Sequence, residues 1–306
     1  VAIRRSPFVI VNPAAGRGRG ERRMASYLSL LRRYLGPLEP AITAHPGDEA
    51  MFVDRALAVG FDAIIAIGGD GTLSAVADRV VRSGLRGVAV GLLPAGTGND
   101  FGKSLGIRYE RAEQVVKAIA DRRTITIDVG RVEERTFVNI VGFGFDIAVI
   151  DDSAKVPLLK GDILYRFSAM RQLFRFPGID IGVSTDGAPA AMRMHLMLIV
   201  ANARIFGGSF QIAPRADLQD GLLDIVSIFN AGPIRRMQLF GRASSGTHVG
   251  ESDVEVRQTS KCLLRFHEPV RYEVDGEVYL SKGREITIEN VPGALTIFVP
   301  EPEGGP

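Results

Sequence analysis

The stretch "AIIAIGGDGTLSAVADRV", residues 63–80, decides how the first half of the chain folds. An apolar run ends at Gly68-Gly69-Asp70-Gly71, and apolar residues return at helical spacing straight after it. A buried strand that hands over to a helix through a glycine turn can hold phosphate. Backbone N–H groups point outward there, the helix dipole favours negative charge, and glycine lets a ligand come close. For one such turn the alternative is a tight strand-to-helix connection with no ligand.

Two more such turns lie on either side of it. "NPAAGRGRG" (12–20) follows the strand-like "PFVIVN" (7–12), and "PAGTGNDFG" (94–102) follows "GVAVGLLP" (87–94). A further strand is expected at 41–43, with helices at 20–35, at 47–60 and between 68 and 87. Strand and helix alternating on this rhythm predict an α/β domain built on a parallel sheet. All three turns then fall at the carboxyl ends of strands, where open α/β sheets bind ligands, so a nucleotide is favoured. Neither common phosphate motif is present. Gly16, Gly18 and Gly20 are spaced two apart, unlike G-x-G-x-x-G, and "GNDFGKS" (98–104) is one residue short of a P-loop, which leaves Lys103 outside a Walker cradle.

After Asp128 the pattern changes. "TFVNIVGFGFDIAVI", "DIGVSTDG", "MHLMLIVANARI", "LLDIVSIFN", "SKCLLRFH", "VRYEVDGEVYL", "REITIEN" and "ALTIFV" are strand-like and separated by Gly, Pro, Asn and Asp. Helical patterns interrupt them at 161–175 and 233–243. The expected division is an α/β ATP-binding domain over 1–128 and a mainly antiparallel β domain over 129–293. The last strand, near 294–306, is free to pack back onto the first domain, and the "EPEGGP" tail is expected to be disordered.

Composition narrows the function. The chain of 306 residues is 46% hydrophobic and 24% charged, and its 37 basic and 35 acidic residues leave a net charge of +2. So balanced a surface makes no general case for nucleic acid. A single cysteine, Cys262, allows no intramolecular disulfide and points to a reducing cytoplasm. The four histidines lack metal-ligand spacing, "FVIV" is too short for a signal-peptide core, and no uncharged segment approaches the roughly 20 residues of a spanning helix.

Taken together and in order, "NPAAG", "GGDGT" and "PAGTGNDF" resemble the diacylglycerol kinase catalytic-domain family of bacterial lipid kinases, relatives of sphingosine kinases and, more distantly, NAD kinases. "GGSFQIAPRADLQDGLLDIV" (207–226) and "VDGE" (274–277) extend the resemblance over almost the whole chain. It implies an α/β nucleotide domain packed on a β-sandwich, with the active cleft between them. It further implies that ATP is bound by Asn12, Pro13, Ala14, Ala15 and Gly16, by Thr43, by Gly68, Gly69, Asp70, Gly71 and Thr72 with Leu73, Ser74 and Ala75 behind them, and by Thr97, Asn99 and Asp100. A structural Mg²⁺ is implied at Asp217, Asp220 and the Leu222 carbonyl. The resemblance also implies that Asp70, Asp100 and Asp128 form a network near the catalytic metal and that Glu277 or Asp275 is the general base.

Phosphoryl transfer needs such residues: a positioned γ-phosphate, a magnesium ion to neutralise charge, and a carboxylate to accept the hydroxyl proton. Each also has a plainer explanation. Asp100 can cap a helix, Asp128 can satisfy backbone donors at the domain junction, "LQDGLLD" can be a loop, and Asp-Gly between alternating apolar residues is a strong hairpin signal. The chain departs from the family at Ser74 and Ala75, where asparagine and glutamate usually stand.

The expected function is therefore an ATP- and Mg²⁺-dependent lipid kinase acting on diacylglycerol. The alternatives are a sphingoid base, undecaprenol or phosphatidylglycerol as acceptor, or a nucleotide-binding regulator without turnover. The expected location is cytoplasmic, with peripheral contact to an anionic membrane surface, and the resemblance leaves a homodimer open. Helix 161–175 carries Ile163, Leu164, Phe167, Met170, Leu173 and Phe174 on one face, among Arg166, Arg171 and Arg175 and after Lys155 and Lys160. That face covers the second domain's core or lies in a headgroup layer, with the core favoured. Arg17, Arg19, Arg22 and Arg23 suit phosphate, anionic lipid or plain solvation.

Overall fold

The computed structural model describes residues 6–154, 162–185, 187 and 191–302, without the side chains of residues 17, 154 and 162–166. The first unit runs β1 (Phe8–Val11), α1 (Ala15–Leu35), β2 (Pro40–Ile42), α2 (Asp48–Ala58), β3 (Ala63–Gly68), α3 (Asp70–Arg82), β4 (Ala89–Pro94), α4 (Asp100–Ser104), α5 (Ala112–Ala120) and β5 (Thr124–Val132). β1 pairs in parallel with β2 on one side and with β3 on the other, and β3 pairs in parallel with β4. The order β4-β3-β1-β2 reverses direction between β1 and β3, which opens a crevice at the carboxyl ends of these strands. β3 and β4 are buried along their whole length, as expected of parallel strands covered on both faces. Ile10, Ile64, Ile67, Leu31, Val53, Leu73 and Ile119 belong to the resulting core.

The second unit runs β6 (Arg135–Phe137), β7 (Ile140–Gly144), α6 (Phe145–Ala154), α7 (Asp162–Arg175), β8 (Ile179–Thr185), β9 (Met192–Ala201), β10 (Leu223–Phe229), α8 (Pro233–Ala243), β11 (Val254–Thr259), β12 (Lys261–Arg265), β13 (Arg271–Val274), β14 (Glu277–Leu280) and β15 (Glu285–Phe298). Its strands within the unit pair antiparallel around a core that includes Phe143, Leu198, Leu264, Tyr272 and Ile286. A second apolar layer, with Phe145, Val149, Leu173 and Leu239, seats α6, α7 and α8 on the sheet.

Three local expectations change. α1 begins at Ala15 rather than at residue 20, because the glycine turn is wound into its first turn. The strand expected to continue to Ile150 ends at Gly144, whose φ of +104° turns the chain out of the strand, and α6 follows. α6 spreads its apolar residues and Asp146, Asp151 and Asp152 around the helix, so it lacks the helical period that would set it apart from a buried strand. The last strand is also longer than expected. β15 pairs antiparallel with β12 over Glu285–Glu289, antiparallel with β5 at both ends, and in parallel with β4 at Thr296 and Ile297. One hydrogen-bonded sheet therefore passes through both units. Lys155, Lys160 and the last four residues of the tail lie outside the described residues.

Candidate active site

The three glycine turns form one floor. A Cβ on Gly16 would stand 2.2 Å from the Ala95 carbonyl, and one on Gly69 would stand 3.0 Å from the Gly96 Cα. These glycines let the turns after β1, β3 and β4 touch one another, where the sequence suggested close approach by a ligand. Asn12 fixes the floor from below, its Nδ2 donating to Thr72 Oγ1 (3.1 Å) and to Glu49 Oε1 (3.3 Å). Glu49 is buried and was not anticipated, since nothing in its helical context sets it apart from a first-turn acid.

Above the floor lies a cleft of about 880 Å³. Asn12, Ala14, Ala15, Gly16, Thr43, Gly69, Asp70, Gly71, Thr72, Ser74, Ala75 and Thr97 line it from the first unit, and Asp275 and Glu277 line it from the second. The N-termini of α1 and α3 open into it. Pro13 and Gly68 stand beside the cleft without lining it, and Leu73 is buried in the core. Asn99 staples its own loop, accepting from Gly96 N (3.0 Å) and donating to Gly96 O (2.8 Å). Arg23 is likewise committed, bonding the Pro94 carbonyl and stacking on Tyr109.

The carboxylates divide by surroundings. A Cβ on Gly98 would meet Asp70 Oδ2 at 3.0 Å and Asp100 Oδ1 at 3.5 Å, so both groups face one small space. Burial first, then the Asp100 charge, pushes the Asp70 pKa up to about 6. Asp100 also accepts from Gly208 N (2.9 Å), and Lys103 bridges Asp100 and the Gly208 carbonyl, well away from any Walker-type role. Asp275 is buried and saturated. It accepts from Val138 N (2.9 Å), Asn139 N (2.9 Å), Ile140 N (3.0 Å) and Ser74 Oγ (3.0 Å). Four donors occupy the lone pairs of its two oxygens. Glu277 is exposed, and its Oε1 lies 3.7 Å from where a Gly71 Cβ would stand. The hairpin and catalytic readings of "VDGE" hold together: Asp275 and Gly276 form the two-residue tip, and Glu277 begins β14.

A catalytic Mg²⁺ suits this geometry. It needs only one or two carboxylates beside phosphate and water oxygens, and the mutually repelling Asp70 and Asp100 would be relieved by a cation. The residues of the implied structural site each have a partner within the protein. Asp217 and Asp220 accept from the backbone of Gln219 and Leu222, and the Leu222 carbonyl accepts from Asn290 Nδ2 (3.1 Å). Asp128 sits at the unit junction rather than in the cleft, its two oxygens taken by Gly221 N and Gly293 N, both at 2.7 Å.

A second cavity, apolar, opens in the second unit between α6, α8 and the 206–212 loop, with Phe145, Phe206, Phe210, Leu239 and Phe240 on its walls. Asp146 also lines it, and neither of its buried oxygens has a well-formed donor among the described residues. Its acidic neighbour is Glu273 on β13. Burial raises the pKa of both. The cavity reaches Gly207, next to the Gly208 that Asp100 binds.

The architecture and these motifs have known counterparts. Residues 6–132 match the diacylglycerol kinase catalytic domain, and residues 139–299 match the YegS C-terminal NAD kinase beta sandwich-like domain. The diacylglycerol kinase of Mycobacterium tuberculosis is 27% identical over 297 residues, covering 95% of this chain and 94% of its own. A Pseudomonas aeruginosa protein named "Probable lipid kinase YegS-like" is 30% identical over 289 residues, covering 93% and 92%. A crystal structure of a diacylglycerol kinase from Bacillus anthracis superposes with a TM-score of 0.73 at 20% identity, covering 96% of this chain and 97% of that one. An NAD kinase from Archaeoglobus fulgidus in complex with ATP superposes at 0.53 and 16%, covering 96% and 94%. The chain belongs to the diacylglycerol kinase catalytic-domain family of lipid kinases, with a YegS-type C-terminal half.

Proposed function

We propose that this chain transfers the γ-phosphate of ATP to the hydroxyl of a membrane lipid, diacylglycerol first among the candidates, with Mg²⁺ required. The observation that carries this is the cleft itself, which places two helix N-termini and Asp70 on one side and a free carboxylate, Glu277, against Gly71. In this reading residues 1–128 hold the nucleotide, and residues 129–293 supply the base and receive the lipid. The N-termini of α1 and α3 bind the phosphates, with Thr43 and Thr97 along the cleft wall. Asp70 and Asp100 would hold a magnesium ion, which would supply charge neutralisation on the phosphates. Glu277 takes the hydroxyl proton as the lipid oxygen bonds to the γ-phosphorus. The bond from that phosphorus to the β–γ bridging oxygen breaks, and ADP leaves.

The apolar cavity in the second unit, about 30 Å³, is too small for an acyl chain, so the preference for a lipid over a soluble acceptor rests on the family the chain belongs to. No helix among the described residues is long and apolar enough to cross a membrane. The lipid must then be taken from a bilayer at the protein surface. Phe167, Met170 and Phe174 on α7 and Ile234 and Met237 on α8 are exposed, while Leu173 turns inward. These side chains are the proposed contact, with Arg175 beside them for anionic headgroups.

The test is transfer of label from γ-labelled ATP into diacylglycerol, sphingosine, undecaprenol or phosphatidylglycerol in mixed micelles with Mg²⁺. Labelled diacylglycerol, lost in Asp70→Ala, is the expected result. Label in a different lipid changes the acceptor, and ATP binding with no labelled lipid would favour the regulator, to which the missing carboxylate at Ala75 points.

A further inference from the structure

We infer that Ser74 is a positioning residue: its hydroxyl holds the Asp275 hairpin against α3 and so fixes where Glu277 stands. This rests on Glu277 being the base proposed above. The tip residues Asp275 and Gly276 both have left-handed φ, +47° and +97°, which makes the β13–β14 connection a tight two-residue loop. Glu277 follows directly, paired with Val274 across the hairpin. Whatever fixes Asp275 therefore fixes the backbone of Glu277 within two residues.

Three of the four bonds to Asp275 come from the backbone of Val138, Asn139 and Ile140, in the hairpin's own unit. They place the tip within the second unit and say nothing of its distance from the phosphates. The fourth bond crosses the cleft. Ser74 lies one turn along α3 from Asp70 and Gly71, and its 3.0 Å bond to Asp275 Oδ2 refers the hairpin to the helix whose N-terminus faces the nucleotide. Asp78, one turn further on, accepts from Thr136 N at 2.9 Å and so draws the strand leading into 138–140 to the same helix face. Asp275 is buried, so the hydroxyl is not readily replaced by water. Ser74 stands where the family usually has asparagine and was expected near the phosphates; the structure spends its proton on the hairpin instead.

The test is steady-state lipid phosphorylation by the full chain carrying Ser74→Ala, Ser74→Thr, Glu277→Gln and the Ser74→Ala/Glu277→Gln pair. Small displacements of a catalytic group are costly, so Ser74→Ala should lose about tenfold in kcat with KM for ATP changed by less than about twofold. Ser74→Thr, which keeps the hydroxyl, should recover most of that loss. The double variant should be no slower than Glu277→Gln alone, because a residue acting through Glu277 has nothing left to position. An Ser74→Ala enzyme at the wild-type rate, a loss confined to KM for ATP, or a loss that adds in full to that of Glu277→Gln overturns the inference. Glu277→Gln at the wild-type rate overturns the base assignment, and this inference with it. A wild-type chain that phosphorylates none of the lipids overturns both.

Discussion

Glu277 and Asp275 are one residue apart from being neighbours, yet their chemistry differs because of what surrounds them. One is exposed against Gly71 and the other is saturated by four donors. Glu277→Gln should therefore lower kcat by roughly 10²–10⁴-fold while ATP affinity changes little, checked by initial rates and equilibrium binding. Gly16→Ala would set a Cβ 2.2 Å from the Ala95 carbonyl at a φ of +57°. It should destabilise the chain by about 1–3 kcal/mol, measured by urea unfolding. Asp146 gives a pH signature. Its folded pKa lies above the unfolded value, so the folded chain keeps a proton that the unfolded chain has released. Its contribution is fully present at pH below the unfolded pKa and is lost as pH rises through the folded pKa. Asparagine cannot ionise, so Asp146→Asn should raise Tm most at about pH 8, with the gain fading towards about pH 4. An offset that is the same at every pH would remove the buried ionisation as its cause.

Among the elements, α7 and α8 carry the clearest contrast. α8 turns Leu239 inward to close the apolar cavity and leaves Ile234 and Met237 outside. α7 buries Leu173 and exposes Phe167 and Phe174. Phe167→Ser with Phe174→Ser should reduce sedimentation with phosphatidylglycerol vesicles by roughly tenfold, since each apolar ring withdrawn from the bilayer removes part of its transfer energy. Phosphorylation of a short-chain, micelle-free lipid should be largely spared. The amphipathic pattern of 161–175 was legible in the sequence, but which side faced outward was not, because facing is decided by contacts with α6 and with the distant α8. The same limit hid α6, whose apolar residues gave no period. The parallel strands and their glycine turns were legible because each is specified locally: a run of β-branched residues, then a turn whose backbone has no room for a side chain. Asp128 was legible as an acceptor for backbone donors at the junction, though not which donors, and the bond of Ser74 was not legible, since Gly293 and Asp275 lie 165 and 201 residues away.

For the whole molecule, the governing feature is the β5–β15 pair. β15 lies beside β12 of the second unit at one end and beside β4 of the first at the other, with a change of register between Val291 and Leu295. A fragment ending after β5 lacks the neighbour of β4 and should not fold alone; a cooperative thermal transition in residues 1–132 would refute this. Fourteen residues of one strand thus act as a torsion bar along the back of the cleft. Two bodies joined by a loose linker can swing apart, whereas these two share one strand that is paired at both ends. Any change in the gap between Gly71 and Glu277 is then expected to be small and to centre on the break in pairing between Val291 and Leu295.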